Sequence, residues 1–224
     1  MVPAGAARDY GLDRSMIAGY GHDDRCCAYS SLLALLDVKD LEYTGCCILV
    51  DKEEIGSVGA TGAQSVFFEN TIAKLLDLSG DPRPFYGVRE TFEHTKMLSS
   101  DVSAGFDPLY PQVNDPKNAA YFGQGLVINK YTGRGGKGGS NDSNPEFYAF
   151  VRKALDDANV NWQNSELGKI DQGGGGTIAY ILGNYNMDVI DAGIPVHNMH
   201  APMEIISKVD LYEAYKGYQA FLKA

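Results

Sequence analysis

Residues 46–57, Cys-Cys-Ile-Leu-Val-Asp-Lys-Glu-Glu-Ile-Gly-Ser, set an apolar run against an abrupt acidic turn. The run 46–50 reads as a short buried strand that stops at Asp51. Residues 64–78 follow with apolar side chains at helical spacing, and Gly80 closes that helix. Strand, polar turn and helix make one unit of an α/β fold. Working outward, the same alternation continues. Helical patterns cover 25–36, 85–97, 147–158 and 203–222, and Asn144-Pro145 offers a cap and first-turn residue for the third. Strand patterns cover 101–106, 126–131 and 187–190. The tract 132–144 carries a glycine-rich stretch and reads as an exposed loop. Strands alternating with helices predict a layered α/β sheet covered on both faces, with 1–224 as a single domain.

Composition narrows the function. The chain has 224 residues, with 29 acidic against 19 basic side chains and a net charge of −10. Phosphates attract basic surfaces, so this balance argues against nucleic-acid and anionic-membrane partners. Hydrophobic residues at 44% and charged ones at 21% suit a folded chain. No apolar run approaches the roughly 18 residues of a membrane span, and the charged first residues lack a signal core, so the expected location is cytoplasmic. Four cysteines form two adjacent pairs, 26–27 and 46–47, without zinc-site spacing. They read as buried, reduced side chains.

Ligands of α/β sheets bind beyond the carboxyl ends of the strands. Four polar segments fall at such ends: 21–25, 51–57, 99–101 and 197–202. Glu53 and Glu54 are adjacent, so in turning backbone they point different ways. One can hold a metal while the other takes a proton from a water molecule. The same pair also suits a solvated turn. Asp23, Asp101 and His200 are either ligands or caps. As a set of oxygen and imidazole donors they suit zinc, manganese or cobalt. His22, His94 and His197 are weaker candidates, and His94 reads as part of a solvated helix face. The glycine run 173–176 with Thr177 leads into a helical pattern. Its N–H groups, at Gly175 and Gly176 above all, offer a substrate cradle, or the run is a plain surface loop.

Four long runs, GYGHDDRCCAYSSLLALLD (19–37), DKEEIGSVGATGAQSVFFENT (51–71), SSDVSAGFDPLYP (99–111) and YNMDVIDAGIPVHNMHAPMEIISKVDLYEAYKGYQAFL (185–222), together resemble the aspartyl aminopeptidase and vacuolar aminopeptidase I family, metallopeptidase family eighteen. The resemblance spans nearly the whole chain and is greatest to bacterial members. It implies a three-layer α/β/α sandwich of the zinc-exopeptidase type. It implies a metalloaminopeptidase with two zinc ions acting on peptides, and homo-oligomers up to dodecamers. Carried over residue by residue, Asp23 matches the carboxylate that bridges both metals, and a cis peptide bond follows it. Glu53 matches the general base, Glu54 and His200 ligands of one metal, and Asp101 a ligand of the other. Gly175, Gly176 and Thr177 are the candidate substrate contacts. Lys130, Arg134 and Lys137 are candidate pocket cations for acidic N-termini, or an exposed basic loop. The family's further histidine lies in a His-x-Asp motif upstream of the bridging aspartate. Only 22 residues precede Asp23, and none of them forms that motif. The resemblance therefore covers a C-terminal half, without the N-terminal strands and the inserted dimerisation domain. The alternative function is a non-catalytic piece that folds and assembles, or binds peptide, with an incomplete metal site.

Overall fold

The computed structural model of the chain describes residues 2–134, 138–169 and 172–224. Two sheets form the framework. The first takes β3 (Lys96–Ser99), β5 (Leu126–Asn129), β8 (Trp162–Asn164) and β9 (Asp188–Gly193) in the order β3-β9-β5-β8. The second takes β1 (Arg8–Tyr10), β2 (Met16–Gly19), β4 (Ser103–Ala104), β10 (Pro195–His197) and β11 (Glu204–Ser207) in the order β1-β2-β11-β10-β4. The parallel pair β3 and β9 continues across Asp101 and Ile194 into the parallel pair β4 and β10. Asp101 therefore lies where one sheet passes into the other. Its backbone closes on β9 at Gly193, where an added Cβ would come within 1.6 Å of the Asp101 carbonyl oxygen. Only a residue without Cβ fits that contact.

Helices cover both faces of the first sheet, as the layered reading expects. On one side α1 (His22–Asp37), α4 (Pro145–Asp157) and α6 (Lys208–Leu222) bury Cys27, Ala34, Val151, Leu155 and Tyr218 against Leu126, Ile128, Ile190 and Ala192. On the other, α2 (Phe67–Ser79), α3 (Pro84–Glu93) and α5 (Ala179–Gly183) pack Phe92, Ile181 and Leu182 against Val189. The alternation along β9 sorts its side chains between these two cores.

Local signals hold where they are strong. Asn144 caps α4, its side chain accepting from the Phe147 N–H at 2.7 Å, and left-handed Gly80 ends α2. Four readings change. Residues 46–50 are not a strand, and Ile48, Leu49 and Val50 are exposed. A strand needs a neighbour for its backbone groups, and among the described residues none pairs with it. The helical pattern 85–97 ends at Glu93, because Lys96–Ser99 joins the sheet beside β9. The pattern 203–222 splits, with Glu204–Ser207 forming β11 and Ser207 capping α6. The tract 132–144 is largely a hairpin of β6 (Tyr131–Arg134) and β7 (Gly138–Asp142) rather than an open loop.

Candidate metal centre

Three loops converge beyond the strand ends. β2 ends at Gly19, and left-handed Gly21 turns the chain into α1, whose start is broken by non-helical backbone at Asp23 and Asp24. The peptide bond between these two residues is cis. Left-handed Lys52 leads into a 3-10 turn, Glu53–Ile55, that carries the glutamate pair. β10 runs out through left-handed Asn198 to left-handed His200. Non-glycine residues with positive φ are uncommon and concentrate where a chain is shaped for a site.

The convergence brings three of the candidate ligands together. His200 Nε2 lies 3.1 Å from Asp23 Oδ2 and 3.1 Å from Glu54 Oε1. One ligand atom from each of Asp23, Glu54 and His200 lies within 4.8 Å of the others. Two donors bound tetrahedrally at about 2.0–2.2 Å from one zinc lie roughly 3.3 Å apart, so the oxygen–oxygen–nitrogen set fits that ion. A second group of the same span joins Asp23, Asp24 and Asp101. Asp23 is common to both. Asp24 also lies with Cys26 and Cys27, and its Oδ1 is buried without a hydrogen-bond partner.

The electrostatics point the same way. Burial and the neighbouring Glu54 carboxylate push Asp23 up to about 7, while His200 pulls it down. Burial, followed by Asp23, Glu53 and Asp191, holds Asp101 well above the usual carboxylate range. Burial and the nearby Cys27, Asp101 and Asp23 raise Asp24 strongly. Glu53 is half-buried, and burial with Glu54 beside it raises its carboxyl. Carboxylates crowded with little solvent resist ionisation unless a cation joins them.

The remaining candidates lie elsewhere. Thr177 is buried, its hydroxyl accepting from the Ala179 N–H at 3.2 Å and lying beside Asp191. Gly175 packs by Leu167 and Gly176 faces the Gly139 carbonyl. This run meets the metal cluster only indirectly, through the Asp191 charge felt by Asp101. Lys130 pairs with Asp142 across the β6–β7 hairpin, so its charge is already met. Lys137 and the Arg134 side chain fall outside the described residues. His197 stacks on Phe122 at 4.1 Å with Nε2 2.9 Å from the Phe106 carbonyl, a packing role. His94 is exposed at the end of α3. The cysteines are free; Cys26 and Cys27 are buried, but Cys46 is exposed, contrary to the buried reading.

Three acidic residues at the site are not evident from sequence reasoning. Asp24 looks like a helix cap. Asp191 interrupts the apolar run of β9, and a charge inside such a run is itself a signal. Glu204 is hidden inside a stretch that reads as helix.

A family model described as aminopeptidase I zinc metalloprotease (M18) matches residues 1–222. A probable M18 family aminopeptidase 1 of Clostridium acetobutylicum is 59% identical over 222 residues, covering 99% of this chain and 48% of that protein. This chain belongs to the M18 aminopeptidase family. The crystal structure of the M18 aminopeptidase of Thermotoga maritima superposes with a TM-score of 0.97 at 44% identity, over 99% of this M18 chain and 49% of that one. The mApe1 dodecamer of S. cerevisiae shares the fold, with a TM-score of 0.76 at 18% identity over 99% of this chain and 49% of that one. The M18 chain thus spans about half the length of the relatives it matches. Among the described residues no helix is long and apolar enough to cross a membrane.

Proposed function

We propose that this M18 chain carries most of the centre of a two-zinc aminopeptidase that removes N-terminal residues from peptides. The reading rests on one observation above the rest: Asp23 belongs to both ligand groups, Asp23–Glu54–His200 and Asp23–Asp24–Asp101. A carboxylate with two oxygens is suited to hold two cations at once. In this reading Glu54 and His200 would hold one zinc and Asp101 the other, with Asp23 placed to serve both. Bound there, zinc supplies a Lewis acid and concentrated positive charge.

The chain's own residues do the rest. Glu53 accepts the proton of the water that attacks the scissile carbonyl. As the C–N bond breaks, it returns that proton to the leaving amine. Its raised carboxyl brings its affinity for protons closer to neutrality, as a base that must also act as an acid requires. The crowded carboxylates favour a substrate ammonium, so a free N-terminus is preferred over a blocked one. Gly175, Gly176 and Thr177 remain the proposed substrate contacts, reached through the Asp191 side of the cluster. The proposed setting is one partial catalytic domain, cytoplasmic, in a closed homo-oligomer; the free cysteines suit a reducing compartment.

The test pairs metal content with substrate choice. Zinc per chain is measured by mass spectrometry, and peptides with free and acetylated N-termini are offered. Zinc retention with cleavage confined to free N-termini is expected, and cleavage of acetylated peptides would overturn the aminopeptidase reading. A second reading, a folded piece binding at most one metal, is favoured by the half-length match and by the exposed run Ile48, Leu49, Val50. Two tightly held zinc ions per chain would remove it.

A further inference from the structure

Glu204 has no role in the chemistry above, yet it is a carboxylate with only 2% of its surface exposed. Burying a charge is costly unless hydrogen bonds compensate it. Both of its oxygens are engaged. Oε2 accepts from the Asp23 N–H at 3.0 Å and Oε1 from the His200 N–H at 2.8 Å. These N–H groups belong to two candidate ligands that lie 177 positions apart in sequence, 200 against 23.

The sheet register explains the position. Glu204 opens β11 and pairs with Gly19, the last residue of β2. On its other side β11 pairs with β10, His197 facing Ile205. Both loops therefore leave the sheet beside Glu204, one toward Asp23 and one toward His200. A single planar carboxylate then fixes the distance between the two backbones. Asp23 Oδ2 and His200 Nε2 sit 3.1 Å apart as a result. His200 is 61% exposed and its backbone is left-handed, so side-chain packing alone does little to hold it.

We infer that Glu204 is a positioning residue, a two-pronged clamp that presets Asp23 and His200 to share one metal ion. The inference rests on the metal-site reading above. The chemistry distinguishes glutamate from its amide. Gln offers one acceptor, and its NH2 group would face an N–H, so one of the two bonds is lost. Asp keeps the charge but is one methylene shorter, so it reaches one N–H and not both.

The experiment uses the 224-residue chain, chelator-buffered zinc ions as the probe, and the variants Glu204→Gln, Glu204→Asp, Asp23→Ala and His200→Ala. Zinc affinity is read by competition. Hydrogen exchange at the Asp23 and His200 amides, together with the melting temperature, is read on metal-free protein. Changes to groups that orient metal ligands typically cost about 10–100-fold in affinity. That loss is expected for both Glu204 variants, with faster exchange in each at the one amide, Asp23 or His200, that loses its acceptor. Wild-type zinc affinity, or unchanged exchange, in a folded Glu204→Gln protein would overturn the clamp while leaving the metal site intact. Should Glu204→Gln fail to fold, Glu204→Asp decides by the same criteria. Zinc affinity unaffected by Asp23→Ala and His200→Ala would overturn the metal site itself, and the clamp's purpose with it.

Discussion

Two regions supply the metal cluster, and they are built differently. Asp23 and His200 follow the two strands that flank β11 in one antiparallel register, β2 on one side and β10 on the other, with Glu204 bonded to both loops. Glu53 and Glu54 follow a run whose apolar side chains Ile48, Leu49 and Val50 face solvent and whose backbone pairs with no strand among the described residues. The first region is positioned by contacts within this chain. The second is apolar surface of the kind that packing partners normally cover. A site held half by register and half by an open segment should therefore respond unequally to change.

The largest effect is expected at Gly193, on the side held by register. Its missing Cβ admits the Asp101 carbonyl, and Gly193→Ala forces the two apart from 1.6 Å. Overpacking typically costs about 1–3 kcal/mol and sometimes more. The severity of this contact places Gly193→Ala at or above about 3 kcal/mol, read as a lowered urea midpoint. Zinc binding should weaken as well, since Asp101 moves with its backbone. A variant as stable as wild type would show that the strand junction yields, and the contrast between the two regions would weaken.

Next comes pH. Asp191 is buried and raised to about 6, against hydroxyls of Thr177, Ser99 and Thr132 that lower it, and Asp23 is raised to about 7. Folded values above the ordinary carboxylate value mean that folding favours the protonated forms. Their stabilising share is whole below the unfolded value of 3.8 and is lost as pH rises through about 6 and about 7. The metal-free chain should therefore be less stable at about pH 8 than at about pH 5, with Asp191 contributing about 1–1.5 kcal/mol of that difference, since part of its share is already lost by pH 5. Denaturant titrations in chelator at both pH values check this. Asp191→Asn should remove part of the slope, and zinc should flatten it by favouring the charged carboxylates near it. Equal stability at the two pH values would refute it.

How much of this was legible beforehand follows from the range of the interactions. Helix ends are short-range events, and Asn144-Pro145 and Gly80 announce them locally. β11 was not legible as part of 203–222, because Glu-Ile-Ile-Ser is decided by partners in β2 and β10 far along the chain. Ser207 and Asp210 still mark the break: the Ser207 side chain caps α6. The short strands β1, β8 and β10 gave no periodic signal for the same reason. Residues 46–50 show the opposite failure. Their composition is that of a strand, and the described residues contain no neighbour to complete one. Of the site, the resemblance named Asp23, Glu54 and His200, which the fold brings together. Glu204 needed the structure, since its role lies in two backbone N–H groups that no sequence pattern specifies.

A smaller effect on folding is expected from His200→Ala. The side chain is 61% exposed, and its imidazole pairs with Asp23 and Glu54. Exposed substitutions away from packed features usually stay within about 0.5 kcal/mol, so the metal-free chain should melt as wild type does. Zinc affinity should nevertheless fall by at least the roughly 10–100-fold that outer-shell changes cost. A competition titration beside a melting curve separates the two quantities. Lost stability without lost zinc would mean that His200 serves the loop and not the ion.

The smallest effect is expected on the open side, and it tests the comparison most directly. Leu49 is 58% exposed. A buried leucine cut to alanine costs about 2–5 kcal/mol because a cavity remains, but an exposed one leaves no cavity. Leu49→Ser should therefore change the stability of this chain by no more than about 0.5 kcal/mol. It should also raise solubility, because an apolar run with unpaired backbone invites strand addition between copies. Sedimentation at rising concentration reads the second effect and a urea titration the first. A loss above about 1 kcal/mol would show that the run packs in solution, since only burial gives one leucine that leverage. The segment carrying Glu53 and Glu54 would then be held within the chain, and the two halves of the cluster would be alike after all.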